Sequence, residues 1–443
     1  MGLPARVHST SLPVSTLSNR RLMSWMAFLA TLSVFVFGVA SLGRAENWTN
    51  WRGPNLNGTV KPGHYPTVWD EKKNIAWSAP LPGRSGSTPI VFGDKIVLTV
   101  PIDGKNGVIA FDRSGKKLWQ TLLGDERPGK HKKASGANPS PVTDGKLVYV
   151  YFKSGDFAAL DWDGKIVWHQ NLQKEIAEDT LWWDLGTSPV LTEKHIVVAV
   201  MQTGPSYLAA FEPATGKMVW KVDRILDAPE ESAQSYTTPL VTRYKGQEQI
   251  IVLGADHVTC HDAKNGKELW RVGTLNPDRE RYFRSIASPV VTGDIVIAPY
   301  ARGKTLTAIR MGGTGDVTKS HVLWTKEIGS DVPTPVALNG KVYVAGDKGV
   351  VTCLNAETGE EHWSETLEKN RNAFSASPVM AGNLLYFVRE DSKAFVIDVE
   401  SKKVTADNIF VGKDESTYST PVLIDNKIYL RTTDALYCID AAE

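Results

Sequence analysis

Eight times along the chain a Ser/Thr-Pro pair opens an apolar run, at Pro89, Pro141, Pro189, Pro239, Pro289, Pro335, Pro378 and Pro421, spaced 43 to 52 residues apart. Six of these prolines are followed, 27 to 35 residues on, by a tryptophan: Trp119, Trp168, Trp220, Trp270, Trp324 and Trp363. A unit of this length cannot bury its own hydrophobic face, so neighbouring units must stack. The repeat constrains architecture tightly and function weakly, because one frame can carry unrelated sites.

Residues 187–220 show how a unit is built. Pro189 stands at a strand start, where no ladder hydrogen bond is asked of it. His195 to Val200 is rich in β-branched residues, as a buried strand requires. After a turn at Gly204-Pro205, Tyr207 to Phe211 reads as a third strand. Thr215-Gly216 then turns the chain into a fourth strand ending on Trp220, with glycine free to take positive φ. The same four-residue step joins Gly115 to Trp119, Gly164 to Trp168, Gly266 to Trp270 and Gly359 to Trp363. Residues 305–324 carry an insertion, Met311 to Gly315, and the next-to-last unit places Val404 where tryptophan is expected.

Four strands per unit with radial repetition predict an all-β fold, an eight-bladed β-propeller of four-stranded antiparallel blades. The last unit stops after three strands, and Asn74 to Trp77 supplies a fourth. Closure of the ring by the amino-terminal strand around Trp77 follows. The expected organisation is a signal peptide or anchor over 1–45, a cap segment over 46–73 and the propeller over 74–443.

Charge is balanced, with Lys+Arg 50 and Asp+Glu 49, so no overall field favours nucleic acid. The one dense basic run, Lys130 to Lys133, reads as a solvated loop. Paired Arg20-Arg21 precede an apolar stretch from Leu22 to Leu42 and a small-residue site near Ala45, the pattern of an export signal. An uncleaved anchor is the rival reading, since about 20 apolar residues span a bilayer. Membrane contact is expected only through that segment, and the expected location is the periplasm or cell envelope. Export permits disulfides, yet Cys260, Cys353 and Cys438 each occupy one alanine-equivalent strand position in three different units. Buried free thiols are expected.

The run Ala210-Phe211-Glu212-Pro213-Ala214-Thr215-Gly216-Lys217-Met218-Val219-Trp220 resembles the repeat signature of pyrroloquinoline-quinone (PQQ) propellers, and Cys353 to Trp363 matches it nearly as well. The chain is similar, over about residues 75–443, to the quinoprotein alcohol dehydrogenase-like propellers, a group that also includes the outer-membrane assembly protein BamB. Trp48 to Gly58 looks like the leader of exported propellers of this kind, a cap packing Trp48 and Trp51 on the ring. The resemblance implies, for the group's dehydrogenases, a quinone held between a tryptophan and a disulfide of adjacent cysteines, with calcium on Glu, Asn and Asp. No two cysteines here are adjacent, and no such oxygen set can be placed, although a hard cation needs several. No quinone, calcium or other metal is therefore expected. Gly-x-Ser-x-Gly, Cys-x-x-Cys and His-Glu-x-x-His are absent.

Connections from each outer tryptophan to the next proline run 22, 21, 19 and 19 residues after the first four units, against 11 after the fifth. Long loops on one side of a rigid ring suggest a built surface. They and the shorter loops carry Trp182, Trp183, Asp184, Tyr236, Phe283, Arg284, Arg302, Phe374, Arg389, Tyr418 and Arg431, the candidate partner-binding face. Aromatic and arginine side chains anchor protein interfaces, and aromatics also suit stacking on sugars. The plain counter-reading packs each aromatic onto the neighbouring loop. The sequence thus points to an exported, non-catalytic scaffold for a protein or envelope polymer. A PQQ-dependent oxidoreductase with a divergent site is the alternative, and an acid pair beside an aromatic platform would instead mark a hydrolase.

Overall fold

The computed structural model describes residues 46–409 and 415–441; the expected signal or anchor lies outside them. Among the described residues there are eight sheets, each built on four antiparallel strands, consecutive in the chain but for the outer strand of the last and a short insertion in the fifth. Blade 1 runs Ile90–Phe92, Lys95–Ile102, Lys105–Asp112 and Lys117–Asp125. Blades 2 to 7 repeat that order, with innermost strands beginning one residue after each repeat proline from Pro141 to Pro378. Blade 8 takes Val422–Ile424, Lys427–Arg431 and Ala435–Asp440, and its outer strand is Ile75–Pro80. Trp77 faces Cys438 across that junction. The ring is fastened where the truncated last repeat requires.

Apolar side chains gather between blades rather than within them. Ile90, Val97 and Val108 of blade 1 pack with Val148, Val150 and Leu160 of blade 2, and corresponding clusters fill the other junctions. The junction of blades 7, 8 and 1 shares one cluster with Trp48, Val60, Tyr65 and Trp69 of the leading segment.

The tryptophans explain the turn glycines. A Cβ on Gly115 would come within 2.6 Å of the Trp77 ring, and one on Gly216 within 2.7 Å of Trp168, with Trp119 over Gly164, Trp220 over Gly266 and Trp324 over Gly359. Each indole thus covers the turn of the next blade, and Trp77, Trp119, Trp168 and Trp324 donate their indole N–H to a carbonyl there. Opposite each tryptophan, on its own third strand, stands a small residue: Ala110, Ala159, Ala210, Cys260, Ala308, Cys353 or Cys438. The three cysteines are buried and free, as their alanine-like placement predicts.

Two repeats depart from this pattern. In blade 7 the residue in the tryptophan register is Ala406, opposite Val396, and not Val404, which pairs with Ile397. The four-residue step is kept, because Lys402, at φ 62°, takes the glycine's place and Ala406 the tryptophan's. Trp69 of the leading segment joins the cluster against which Ala406 packs, its backbone N–H bonded to Asn408 Oδ1 at 2.9 Å. In blade 5 the insertion turns back, pairing Gly315–Asp316 in parallel with Trp270–Arg271 of blade 4. Trp270 is only 1% exposed as a result.

The Ser/Thr before each repeat proline does more than precede it. Thr88 N–H donates to Ser140 Oγ, Ser140 to Ser188, Ser188 to Thr238, Thr238 to Ser288, Ser288 to Thr334, and Thr334 to Ser377, all at 2.9–3.0 Å. Thr420 closes the circle onto Thr88 Oγ1 at 3.1 Å. Seven of eight blade junctions therefore share a hydrogen-bond collar around the axis, satisfying buried amides that no strand ladder reaches.

Candidate site: a blind axial funnel

The collar is the waist of a cavity of about 680 Å³. Its wall draws on all eight blade-to-blade connections, from Gly86 through Trp183 and Tyr282 to Tyr418. Below the waist the axial passage is blocked by the leading segment. Trp48 exchanges backbone hydrogen bonds with Val91 of blade 1, at 2.7 and 2.8 Å. The chain then crosses to the far wall, where Arg52 donates to Pro335 O at 2.9 Å and Pro378 O at 3.0 Å. Thr59–Val60 leaves as a parallel fifth strand on blade 7. Trp51 lines both the funnel and a smaller cavity of about 220 Å³ beneath it, so its indole divides them. The expected cap is a plug. Arg52 is wholly buried against carbonyls with no carboxylate, and burial pulls its pKa down to about 9.

The two-tryptophan loop is held from beneath. Trp182 N–H donates to Gln234 Oε1 at 2.9 Å and Trp183 N–H to Tyr236 OH at 3.2 Å. The Trp183 indole N–H reaches Glu231 Oε1 at 2.8 Å, and its ring meets the His131 edge at 6.1 Å. Yet Trp182 is 44% exposed, Trp183 45% and nearby Tyr282 47%, with the Trp182 and Tyr282 rings 6.5 Å apart. These aromatics stand fixed and uncovered.

Asp184, in contrast, faces inward. Its carboxylate accepts Lys153 Nζ at 2.5 Å and the backbone N–H groups of Lys130 and His131 at 2.8 Å. The basic run is therefore an anchored loop: Lys130 Nζ donates to Leu181 O, and Lys133 pairs with Glu390 at 2.7 Å. Arg284 makes a bidentate pair with Asp331 at 2.7 and 2.9 Å and lies 3.7 Å from Glu231. Asp347 receives the backbone N–H groups of Asp331 and Val332, and burial raises its carboxyl pKa. The acids on the funnel wall, Asp184 and Glu231, are thus each matched by a cation or indole.

The remaining candidate residues divide. Tyr236 and half-buried Tyr418 line the wall, and Arg302 reaches it from the second turn of blade 5. Phe283 is half-buried beneath Lys304, whose ammonium lies 5.1 Å from its ring centroid. Three do not belong to an accessible face. Phe374 is 2% exposed, stacked on Phe387 at 4.1 Å. Arg389 is 2% exposed and occupied by Asp391 and Glu368. Arg431, 1% exposed, donates to Ser87 O and Thr99 O, tying blade 8 to blade 1, and burial lowers its pKa to about 9. Loop position suggests exposure, but Phe374 packs onto Phe387 and Phe395 of blade 7, Arg389 is enclosed by Asp391 and Glu368, and Arg431 is covered by blade 1 at Ser87 and Thr99. Lys153, Glu231 and the hydroxyl collar join the site without having been candidates, and Trp51, expected only as part of a cap, lines its wall; a Ser or Thr before every repeat proline is the signal that could have found the collar. Among the described residues no three His, Cys, Asp or Glu side chains converge as a metal cluster.

Comparison with known proteins agrees with this frame. A BamB from Yersinia pestis is 26% identical over 342 residues, covering 74% of this chain and 78% of its own. BamB from Moraxella catarrhalis superposes with a TM-score of 0.60 at 15% identity, over 82% of this chain and 99% of that one. A europium-containing methanol dehydrogenase gives 0.65 at 12% identity, over 87% and 89%, a likeness of fold. The family model described as outer membrane protein assembly factor BamB matches residues 66–181, 163–319 and 315–405. With a blade signature that recurs in register around the ring and a match extending over most of its length, the chain belongs to that BamB family of PQQ-repeat propellers.

Proposed function

We propose that this chain is an exported, non-catalytic docking platform of the cell envelope, receiving a protein partner on the face of long connections. The observation that carries the reading is the pair of uncovered rings, Trp182 on a loop pinned by Gln234 and Tyr236, and Tyr282 beside Phe283, whose N–H donates to Ser232 Oγ. Rigid exposed aromatics lose little side-chain entropy on binding and dominate interface energetics. Relatives named as outer membrane protein assembly factors support an envelope partner, and the basic-then-apolar leading sequence supports export. We propose further that the chain works without quinone or calcium. Supporting this, Cys260, Cys353 and Cys438 belong to three different blades, and the wall carboxylates are engaged.

The test is capture of envelope proteins by the immobilised chain, compared with a Trp182→Ala/Tyr282→Ala variant. Losing hot-spot rings costs about 2 kcal/mol or more, roughly thirtyfold in affinity, at unchanged melting temperature. Equal capture by both forms counts against the docking face. Saturable quinone binding with calcium and dye reduction overturns the non-catalytic reading.

A further inference from the structure

The funnel interior asks a different question from the rim, because its chemistry does not suit a protein anchor. Leu, Ile and Phe anchors seek aliphatic pockets, and the wall offers only Ala134, Ile286 and Val332 of that kind. The rest is indole and phenol faces, glycine, the hydroxyl collar and a set of charged and amide groups that includes Lys133, Asp184, Glu231, Arg284 and Arg302. Each collar oxygen that accepts a neighbouring amide still has a proton to donate. A pyranose ring is the complement of such a wall. Its axial C–H face is weakly positive and packs on the negative face of an aromatic ring, while its equatorial hydroxyls need donors and acceptors around the edge.

Charge narrows the ligand further. Asp184 is neutralised by Lys153, Lys133 by Glu390, and Arg284 by Asp331. Arg302, exposed on the wall, has neither a hydrogen bond nor an ion pair among the described residues. It is presented by an unfavourable backbone: Ala301 and Arg302 have φ of 54° and 56°, a left-handed conformation that non-glycine residues adopt only at a cost. Strain that aims a free guanidinium into a cavity is the mark of a held functional group, and a planar guanidinium fits a carboxylate with two parallel hydrogen bonds. The plug gives the cavity a floor in Trp51, and its volume of about 680 Å³ lies within the usual range for bound small ligands.

We propose that the blind funnel binds an acidic oligosaccharide, with sugar faces stacked on Trp51 and Trp183 and a carboxylate on Arg302. This goes beyond the protein-docking reading and does not depend on it.

Intrinsic tryptophan fluorescence and calorimetry of the purified full chain test the proposal, with tetragalacturonate, neutral cellotetraose and an acidic tryptophan-containing tetrapeptide as probes. Saturable tetragalacturonate binding is expected. Arg302→Gln should weaken it about tenfold, the size of one charge-assisted pair, and leave any cellotetraose binding unchanged. Trp183→Ala should abolish it, with Trp183→Phe retaining part as the control for folding. Absence of saturable tetragalacturonate binding overturns the proposal. So does equal affinity of the wild type and Arg302→Gln, or preference for the peptide. Capture of envelope proteins by the same preparations is scored separately, so either reading can fail while the other stands.

Discussion

His261, on the third strand of blade 4, is 2% exposed and sits at the end of a buried polar chain. Arg224 Nε donates to Thr259 Oγ1 at 2.8 Å, and the Thr259 hydroxyl lies 2.9 Å from His261 Nε2. The imidazole Nδ1 meets Gly266 O at 2.9 Å. A neutral ring protonated at Nδ1 satisfies every member of this chain, since Nε2 then accepts the threonine proton. Burial holds the pKa at about 4, below the ordinary 6.5. The folded state therefore refuses a proton that the unfolded chain accepts below pH 6.5. Stability from the neutral ring is complete above pH 6.5 and is lost as pH falls towards 4, by about 3 kcal/mol in all. Urea midpoints measured between pH 7.5 and 4.5 should fall more steeply for the wild type than for His261→Gln; parallel curves would contradict the account. In the sequence, His261 is one histidine four residues from His257, and on a strand the two stand about 13 Å apart, too far to share a metal. The burial that keeps it neutral, and the Arg224 guanidinium that joins its polar chain from the connection leaving blade 3, are set by neighbouring blades, and no local pattern announces them.

At the scale of the blade, the hydroxyl collar and the tryptophan–glycine contact are the two devices that make separate sheets cohere. Ser188→Ala would leave the Ser140 amide buried without its acceptor, at a cost of about 1–3 kcal/mol. Ser188→Thr keeps the oxygen and should lose much less, so a denaturant titration of the pair separates the hydrogen bond from the loss of volume. Equal destabilisation by both would point to packing instead. The repeat prolines, the strand order and the four-residue Gly-to-Trp step were all legible, because each is local to one unit. The partners were not. Spacing within a unit cannot say that Trp168 covers Gly216 of the following blade, or that Ser140 N–H seeks Ser188. Blade 7 shows the limit most clearly: with Lys402 in the left-handed position no glycine marks the turn, so nothing local tells Ala406 from Val404 as the tryptophan-equivalent residue. The same limit applies to Phe374, Arg389 and Arg431, whose burial comes from contacts distant in sequence: Phe387 for Phe374, Glu368 for Arg389 and Thr99 for Arg431.

Across the whole molecule, the leading segment performs two separable tasks. Residues 46–60 plug the channel, with Trp48 fully buried, while Ile75–Pro80 completes blade 8. The second task was readable from a three-stranded last repeat and a spare strand at the other end. The first was not, because Trp48 to Gly58 carries no periodicity and a cap looks the same whether it covers or enters a channel. The two tasks predict different truncations. Removing the chain up to Val60 should open the funnel into a through-channel and lower the melting temperature, yet leave blade 8 four-stranded and the unfolding cooperative. Removal up to Pro80 also strips Trp77 from the Gly115 turn and exposes the Ala435–Asp440 strand as an unpaired edge, a template for aggregation. That shorter chain should aggregate in gel filtration, and a synthetic peptide of residues 70–82 added during refolding should restore a monomer with a buried, blue-shifted Trp77. A monomeric, cooperatively melting product without the peptide would mean that the ring does not depend on its amino-terminal clasp, because the inter-blade clusters and the collar would then suffice to close it.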